Sequence, residues 1–185
     1  MTRFELNQLI KGGEELGSGT SGTAYKVNWK GEECLLKITS SKNEIHYQTV
    51  VMRLQKTNPE IEEYTAKIYE IFTVGGEFGY IAELLEVTDE ISEELKYTTY
   101  KPVYKLCELL NLRLSELIDK GDKELMDYFK VIDFKPNEYF WTILKILRLN
   151  KFIGANDYHY KNLGFSKEGK LKAYDFDRKD GRVGW

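Results

Sequence analysis

The hydrophobic pattern changes period once along the chain, and that change limits the folds open to it. Up to about residue 85 the apolar residues fall in short β-type runs punctuated by glycine. From Pro102 they recur every three to four residues, as on one face of a helix. Residues 87–101 (VTDEISEELKYTTYK) are polar and read as a connector with room for a helical turn. A strand-rich half followed by a helical half predicts an α+β architecture, not an alternating βαβ fold. The expected division is a β-rich lobe over about 1–85, a connector over about 86–101 and a smaller, mostly helical lobe over about 102–185, with a cleft between the lobes.

Within the first half, Glu15 to Val27 is glycine-rich, and Cys34 to Ile38 (CLLKI) is a short apolar strand preceded by the turn Lys30-Gly31-Glu32. Lys42 to Gln55 carries Ile45, Val50, Val51 and Leu54 at helical spacing, with Ser40-Ser41 as caps and Thr57-Asn58-Pro59 as the stop. Ala66 to Val74 and Phe78 to Leu85, joined by Gly75-Gly76-Glu77, predict a hairpin. In the second half the spacing predicts one helix over Val103 to Ile118, another over Lys123 to Val131 and a third over Pro136 to Phe152. The chain closes with Asn156 to Phe165, a turn at Lys167 to Lys170 and a short run from Leu171 to Phe176.

Composition excludes several classes of function. A length of 185 residues predicts one domain, with roughly 70% of the unfolded surface removed from water. The 27 basic and 30 acidic side chains leave a net charge of −3, which argues against a nucleic-acid binder, because phosphate neutralisation needs a basic surplus or patch. Only Cys34 and Cys107 are present, far apart, so reduced thiols are expected in place of a disulfide or zinc framework. The N-terminal MTRFELNQLIKGGEELG has no apolar run of the signal-peptide kind. The most apolar stretch, Tyr139 to Leu149, is interrupted by Lys145 and Arg148, so no membrane contact is expected and a cytoplasmic location is the expectation.

Four groups of residues can carry chemistry. Gly17-Ser18-Gly19-Thr20-Ser21-Gly22 is a G-x-G-x-x-G turn, which lets a backbone approach a phosphate, although such a turn between strands is as often a plain connection. No strand–turn–helix unit follows it and no Lys-Ser/Thr ends it, which excludes a dinucleotide fold and a P-loop. Lys37 stands near the end of the CLLKI strand, facing either solvent or a cleft. Glu44, in the first turn of the next helix, either pairs with Lys37 or serves the helix dipole. Asp157 to Asn162 is a D-x-x-x-x-N loop, and Asp175-Phe176-Asp177 ends the last apolar run. Either loop alone is equally well explained by turn chemistry.

The order of these groups resembles the protein-kinase-like superfamily: glycine turn, strand Lys, helix Glu, D-x-x-x-x-N, then D-F. Asn162 and Asp175 stand 13 residues apart, the separation of the hairpin joining those two motifs in that family. The resemblance covers nearly the whole chain. It implies an ATP- and Mg²⁺-dependent phosphotransferase with a two-lobe fold, acting on a hydroxyl such as a protein Ser or Thr. Gly17, Gly19 and Gly22 would cover the ATP phosphates, and Lys37 would hold them while paired with Glu44. Glu83 to Leu85 would form the hinge against the nucleotide. Asp157 would take the hydroxyl proton, and Asn162 and Asp175 would hold Mg²⁺.

The sequence also departs from that pattern. Lys37 and Glu44 are only seven residues apart. Ala155-Asn156 replace the usual His-Arg, and Asp177 stands where D-F-G has glycine. His159 makes the catalytic loop look more like that of aminoglycoside and choline phosphotransferases, so a small-molecule acceptor is the alternative within enzymes. A pseudokinase serving as a nucleotide-binding regulatory module is the alternative outside them. A hydrolytic metal cluster of Asp157, His159, Asp175 and Asp177 would leave the glycine turn and Lys37 unexplained. Only ten residues follow Asp175, too few for an activation loop or the later helices of protein kinases. The reduced helical lobe is therefore expected to be covered by the tail, a second copy or another protein, with Tyr139, Trp141 and Trp185 as candidate contacts.

Overall fold

The computed structural model describes residues 1–19, 21–95, 101–156 and 160–176. The protein is mixed α+β, with a five-stranded antiparallel sheet and seven α-helices among the described residues. Helix α1 (Arg3–Gly12) precedes strands β1 (Glu14–Gly19), β2 (Gly22–Trp29) and β3 (Glu32–Thr39). Helix α2 (Lys42–Thr57) leads to the hairpin of β4 (Ile68–Val74) and β5 (Glu77–Glu83). Helices α3 (Asp89–Leu95), α4 (Lys101–Leu110), α5 (Leu114–Asp119), α6 (Asp122–Ile132) and α7 (Phe140–Ile153) follow, then the small hairpin of β6 (Leu163–Phe165) and β7 (Leu171–Ala173).

The sheet runs β1-β2-β3-β5-β4, so β3 is central and Lys37 lies in its middle strand. Alternation along β3 splits its residues between two faces. Cys34 and Leu36 are buried in a cluster with Leu6 of α1, Val27, Phe72, Val74 and Ile81. Leu35, Lys37 and Thr39 face the other way, toward α2, which packs across β3, β4 and β5. A larger cluster joins Val51 of α2 and Ile68 to Leu106, Leu117, Leu125, Phe140, Leu144 and Leu171, so one continuous core runs under the sheet into the helical half.

Helix α1 was not expected from the periodicity. It is opened by Thr2 and Glu5 as a reciprocal capping box and held by Leu6, which is fully buried. The single helix expected over Val103 to Ile118 is two: α4 ends at Leu110, and Asn111 takes a left-handed φ of 50° before α5 begins. Asn tolerates that conformation better than most residues, while the leucines continue the helical period across the break. Helix α7 starts at Phe140, four residues later than Pro136, and ends at Gly154 with φ 78°. The connector holds a real helix, α3. Cys34 and Cys107 are both free and buried. Tyr139 and Trp141 are partly buried against the larger cluster, so they belong to the core more than to an open surface; Trp185 lies outside the described residues. No helix among the described residues is long and apolar enough to cross a membrane.

One buried side chain stitches α2 to the start of β4. Gln55 donates from Nε2 to Thr65 Oγ1 and to the Ala66 carbonyl, both at 2.9 Å, and accepts from the Ile68 N–H at 3.1 Å. Gln55→Leu would fill the space but leave the Ala66 carbonyl and the Ile68 N–H without partners. The expected loss is about 2–4 kcal/mol in chemical denaturation, with an unchanged m-value; a loss below about 0.5 kcal/mol would contradict this role.

Candidate functional site

The site is built on one row of the sheet. Gly17 pairs with Ala24, Ala24 with Lys37, and Lys37 with Tyr80. In-register partners of an antiparallel sheet project to the same face. Lys37 is thus flanked by a glycine and an alanine on one side, which leaves room above its stem, and by a tyrosine on the other. Gly17 and Gly19 have open space where a Cβ would stand, so packing within the protein does not require glycine at either position. Gly22 is different: at φ 155° its Cβ would lie 1.9 Å from the Ile38 carbonyl oxygen, so the β2–β3 pairing itself requires glycine there. Thr20 lies outside the described residues.

Lys37 brings two distant carboxylates together. Its Nζ lies 2.7 Å from Glu44 Oε1 and 3.0 Å from Asp175 Oδ2, a residue 138 positions away. The expected Lys37–Glu44 pair therefore forms despite the short link. The link suffices because Ser40 and Ser41 turn the chain at once: Ser41 accepts from the Glu44 N–H at 3.0 Å and opens α2 there. Only 14% of the Lys37 side chain and 1% of the Glu44 side chain is exposed. Glu44 is also met by Tyr80, whose hydroxyl donates to Oε1 at 2.9 Å, and by Thr39, whose hydroxyl lies 2.8 Å from Oε2.

The Asp175 side is held from the helical half. Asn162 donates from Nδ2 to the Asp175 carbonyl at 3.1 Å, and the Tyr174 N–H donates to the Asn162 carbonyl at 3.0 Å. Two of the predicted residues thus meet, 13 positions apart, at the end of the β6–β7 hairpin. Asp175 Oδ1 is buried and has no hydrogen-bond partner among the described residues. Among those residues no three His, Cys, Asp or Glu side chains gather as a metal cluster. Asp157, His159 and Asp177 lie outside the described residues.

Glu83 and Leu85 stand apart from this row. Glu83 is in register with Cys34, on the face opposite Lys37. Its carboxylate accepts from Lys172 at 2.7 Å and from the Lys67 N–H at 3.1 Å. Leu85 is buried, and the next residue, Glu86, exchanges backbone hydrogen bonds with Phe165. This segment fastens the sheet to the small hairpin. Tyr80, Thr39 and Gln48 were missed in the sequence. Gln48 had a signal, standing four residues after Glu44 on the same helix face. Tyr80 becomes visible only once the β3–β5 register is known.

Charge is unevenly balanced, with one ammonium against two carboxylates. Burial works against the Lys37 charge, but Asp175 and Glu44 outweigh it and lift its proton affinity above that of an ordinary lysine. For Glu44, burial and then the Asp175 charge raise the pKa, and Lys37 offsets only part of this. Burial and Asp175 likewise push the Tyr174 phenol up to about 12. Such an arrangement is suited to receive a further cation, or a ligand that draws Lys37 away from its carboxylates. No family model matches the chain, and no curated protein matches it.

The Glu44 shift has a sign that can be checked. A carboxylate with a raised folded pKa stabilises below its unfolded pKa and loses that contribution as pH rises through the folded value. Glu44→Gln keeps an acceptor for Lys37 and Tyr80 and gives Thr39 a donor, without a buried charge. The variant is expected to melt at or above wild type near neutral pH, by about 2–4 °C, with the difference shrinking as pH falls toward the ordinary 4.5. A lower melting temperature at every pH would contradict it.

Proposed function

We propose that the chain is an ATP- and Mg²⁺-dependent phosphotransferase of the protein-kinase-like kind, acting on a hydroxyl such as a protein Ser or Thr. In this reading the sheet with α2 is one lobe, the helices from α4 with the small hairpin are the other, and the connector over about 86–101, which carries α3, joins them. The observation that carries it is the meeting of Lys37 with both Glu44 and Asp175 beside a glycine turn. A buried lysine held by two carboxylates stabilises a fold poorly, because desolvation offsets most of the attraction. It is suited to a ligand that brings its own cation to Asp175 while its anionic groups take Lys37.

Mg²⁺ fits the residues present. Asp175 Oδ1 is a buried anionic oxygen with no protein donor among the described residues, and Mg²⁺ is held by one or two carboxylates together with substrate phosphates. Asp175 and Asn162 would hold it. When bound, it would neutralise phosphate oxygens and so favour transfer.

The chain's own residues supply the rest. Lys37 binds the nucleotide phosphates, and Glu44 fixes where its ammonium points. Gly17 and Gly19 leave their backbone open to approach from above. Asp157 takes the proton of the acceptor hydroxyl as its oxygen bonds to the γ-phosphorus and the bond to the β–γ bridging oxygen breaks, releasing ADP.

Calorimetric titration of ATP with and without Mg²⁺ tests this. Lys37→Ala is expected to weaken binding by about tenfold or more, and Asp175→Asn to abolish the dependence on Mg²⁺. Asp157→Asn should leave affinity within about twofold and lower phosphate transfer by about 10²–10⁴. Unchanged nucleotide binding in both Lys37→Ala and Asp175→Asn would overturn the proposal. Binding without transfer to any hydroxyl would leave a nucleotide-binding module.

A further inference from the structure

We infer that Gln48 and Tyr80 are positioning residues that latch helix α2 to both ends of the Lys37 site. The inference deepens the proposed function and rests on it for its nucleotide readout. The latch itself rests on geometry.

Glu44 and Gln48 stand one helical turn apart on α2, and each is 1% exposed. Glu44 reaches the sheet through Lys37. Gln48 reaches the helical half: its Nε2 donates to the Tyr174 carbonyl at 2.9 Å, on the residue just before Asp175. One helix face therefore sets the distance between the two carboxylates that share Lys37. Tyr47, beside Gln48, adds a bond from its hydroxyl to the Gly154 carbonyl at 3.2 Å, at the end of α7.

Tyr80 closes the arrangement from the sheet. It stands opposite Lys37 and is 1% exposed. Its hydroxyl donates at 2.9 Å to Glu44 Oε1, the oxygen that Lys37 also takes, and accepts a longer contact of 3.5 Å from Gln48 Nε2. Burial and the Glu44 charge keep this phenol protonated far above the ordinary tyrosine range, so it stays a donor. With Thr39 at the second oxygen, Glu44 is held on both sides.

Packing does not ask for these polar groups. Phe at 80 and Leu at 48 would fill the same space, but they would take a donor from Glu44 Oε1 and the donor from the Tyr174 carbonyl. What the hydroxyl and the amide add is direction: α2 cannot turn or slide without stranding buried donors and acceptors in both halves. A helix so tied has one arrangement, with Lys37 already paired.

The test uses Tyr80→Phe and Gln48→Leu in the full chain, each removing bonds while keeping bulk. The primary readout is the rate at which an amine-reactive acylating reagent modifies Lys37, followed by peptide mass spectrometry. Lys172, 7% exposed and paired with Glu83 at 2.7 Å, is the internal control for general loosening. In both variants Lys37 should react about tenfold faster, the population change that losing one net hydrogen bond gives, with Lys172 unchanged. ATP–Mg²⁺ affinity should fall severalfold. Tyr80→Phe added to Lys37→Met should cause no further loss, because Tyr80 acts through that lysine.

Equal acceleration of Lys37 and Lys172 would mean a merely structural role and would overturn the inference, as would wild-type labelling in both variants. The two variants cut different bonds, so one folded variant decides. Selective labelling with no ATP binding even by wild type would sink the proposed function and leave the latch standing. Normal ATP binding with unselective labelling would do the reverse.

Discussion

Everything distinctive about this fold depends on keeping one ammonium group buried between two carboxylates from opposite halves of the chain. Lys37 comes from the central strand, Glu44 from the helix that follows, and Asp175 from the end of the last hairpin. A charge taken out of water must be met by partners at hydrogen-bond distance, or the fold loses several kcal/mol. The partners in turn must be held. That requirement accounts for the early capping of α2 at Ser41, for the Asn162 bond to the Asp175 backbone, and for the ring of neutral donors on Glu44.

The sheet divides the work between its faces. The face toward α1 is an ordinary apolar core, with Leu6, Cys34, Leu36 and Ile81. The face toward α2 carries Lys37 and Thr39, with small residues on the glycine-turn side. Within the G-x-G-x-x-G turn the same division appears in miniature. Gly22 is demanded by the backbone of the next strand, whereas Gly17 and Gly19 meet nothing and leave the backbone accessible. A glycine motif thus mixes a folding constraint with a binding opportunity, and only the surroundings of each position separate them.

Much of this was legible in the sequence. The change of hydrophobic period predicted the α+β arrangement, the glycine-linked hairpin and helices at α2, α6 and α7. The resemblance implied a Lys37–Glu44 pair, against the alternative of a helix-dipole glutamate, and put Asn162 and Asp175 at one site; the two pairs do lie in contact. What escaped had physical reasons. Helix α1 is short and buries only Leu6, so its apolar residues mark no clear period, although its capping box at Thr2 and Glu5 was readable. The α4–α5 break hangs on the left-handed backbone of Asn111, which leaves the leucine spacing undisturbed. Tyr80 joins the site only through strand register, which periodicity does not specify. Glu83, at the right place in the order, has its carboxylate bound to Lys172, a pairing no local pattern announces.

The account stands or falls on what occupies the space beside Lys37, between the glycine turn and Asp175. The most direct measurement is a crystal structure of the protein with Mg²⁺ and a non-hydrolysable ATP analogue. The account predicts phosphate oxygens within about 3–4 Å of Lys37 Nζ, an ion-pair distance, with Glu44 still paired to that lysine and Asp175 on the metal. An analogue bound elsewhere, with Lys37 still shared between Glu44 and Asp175 alone, would contradict it.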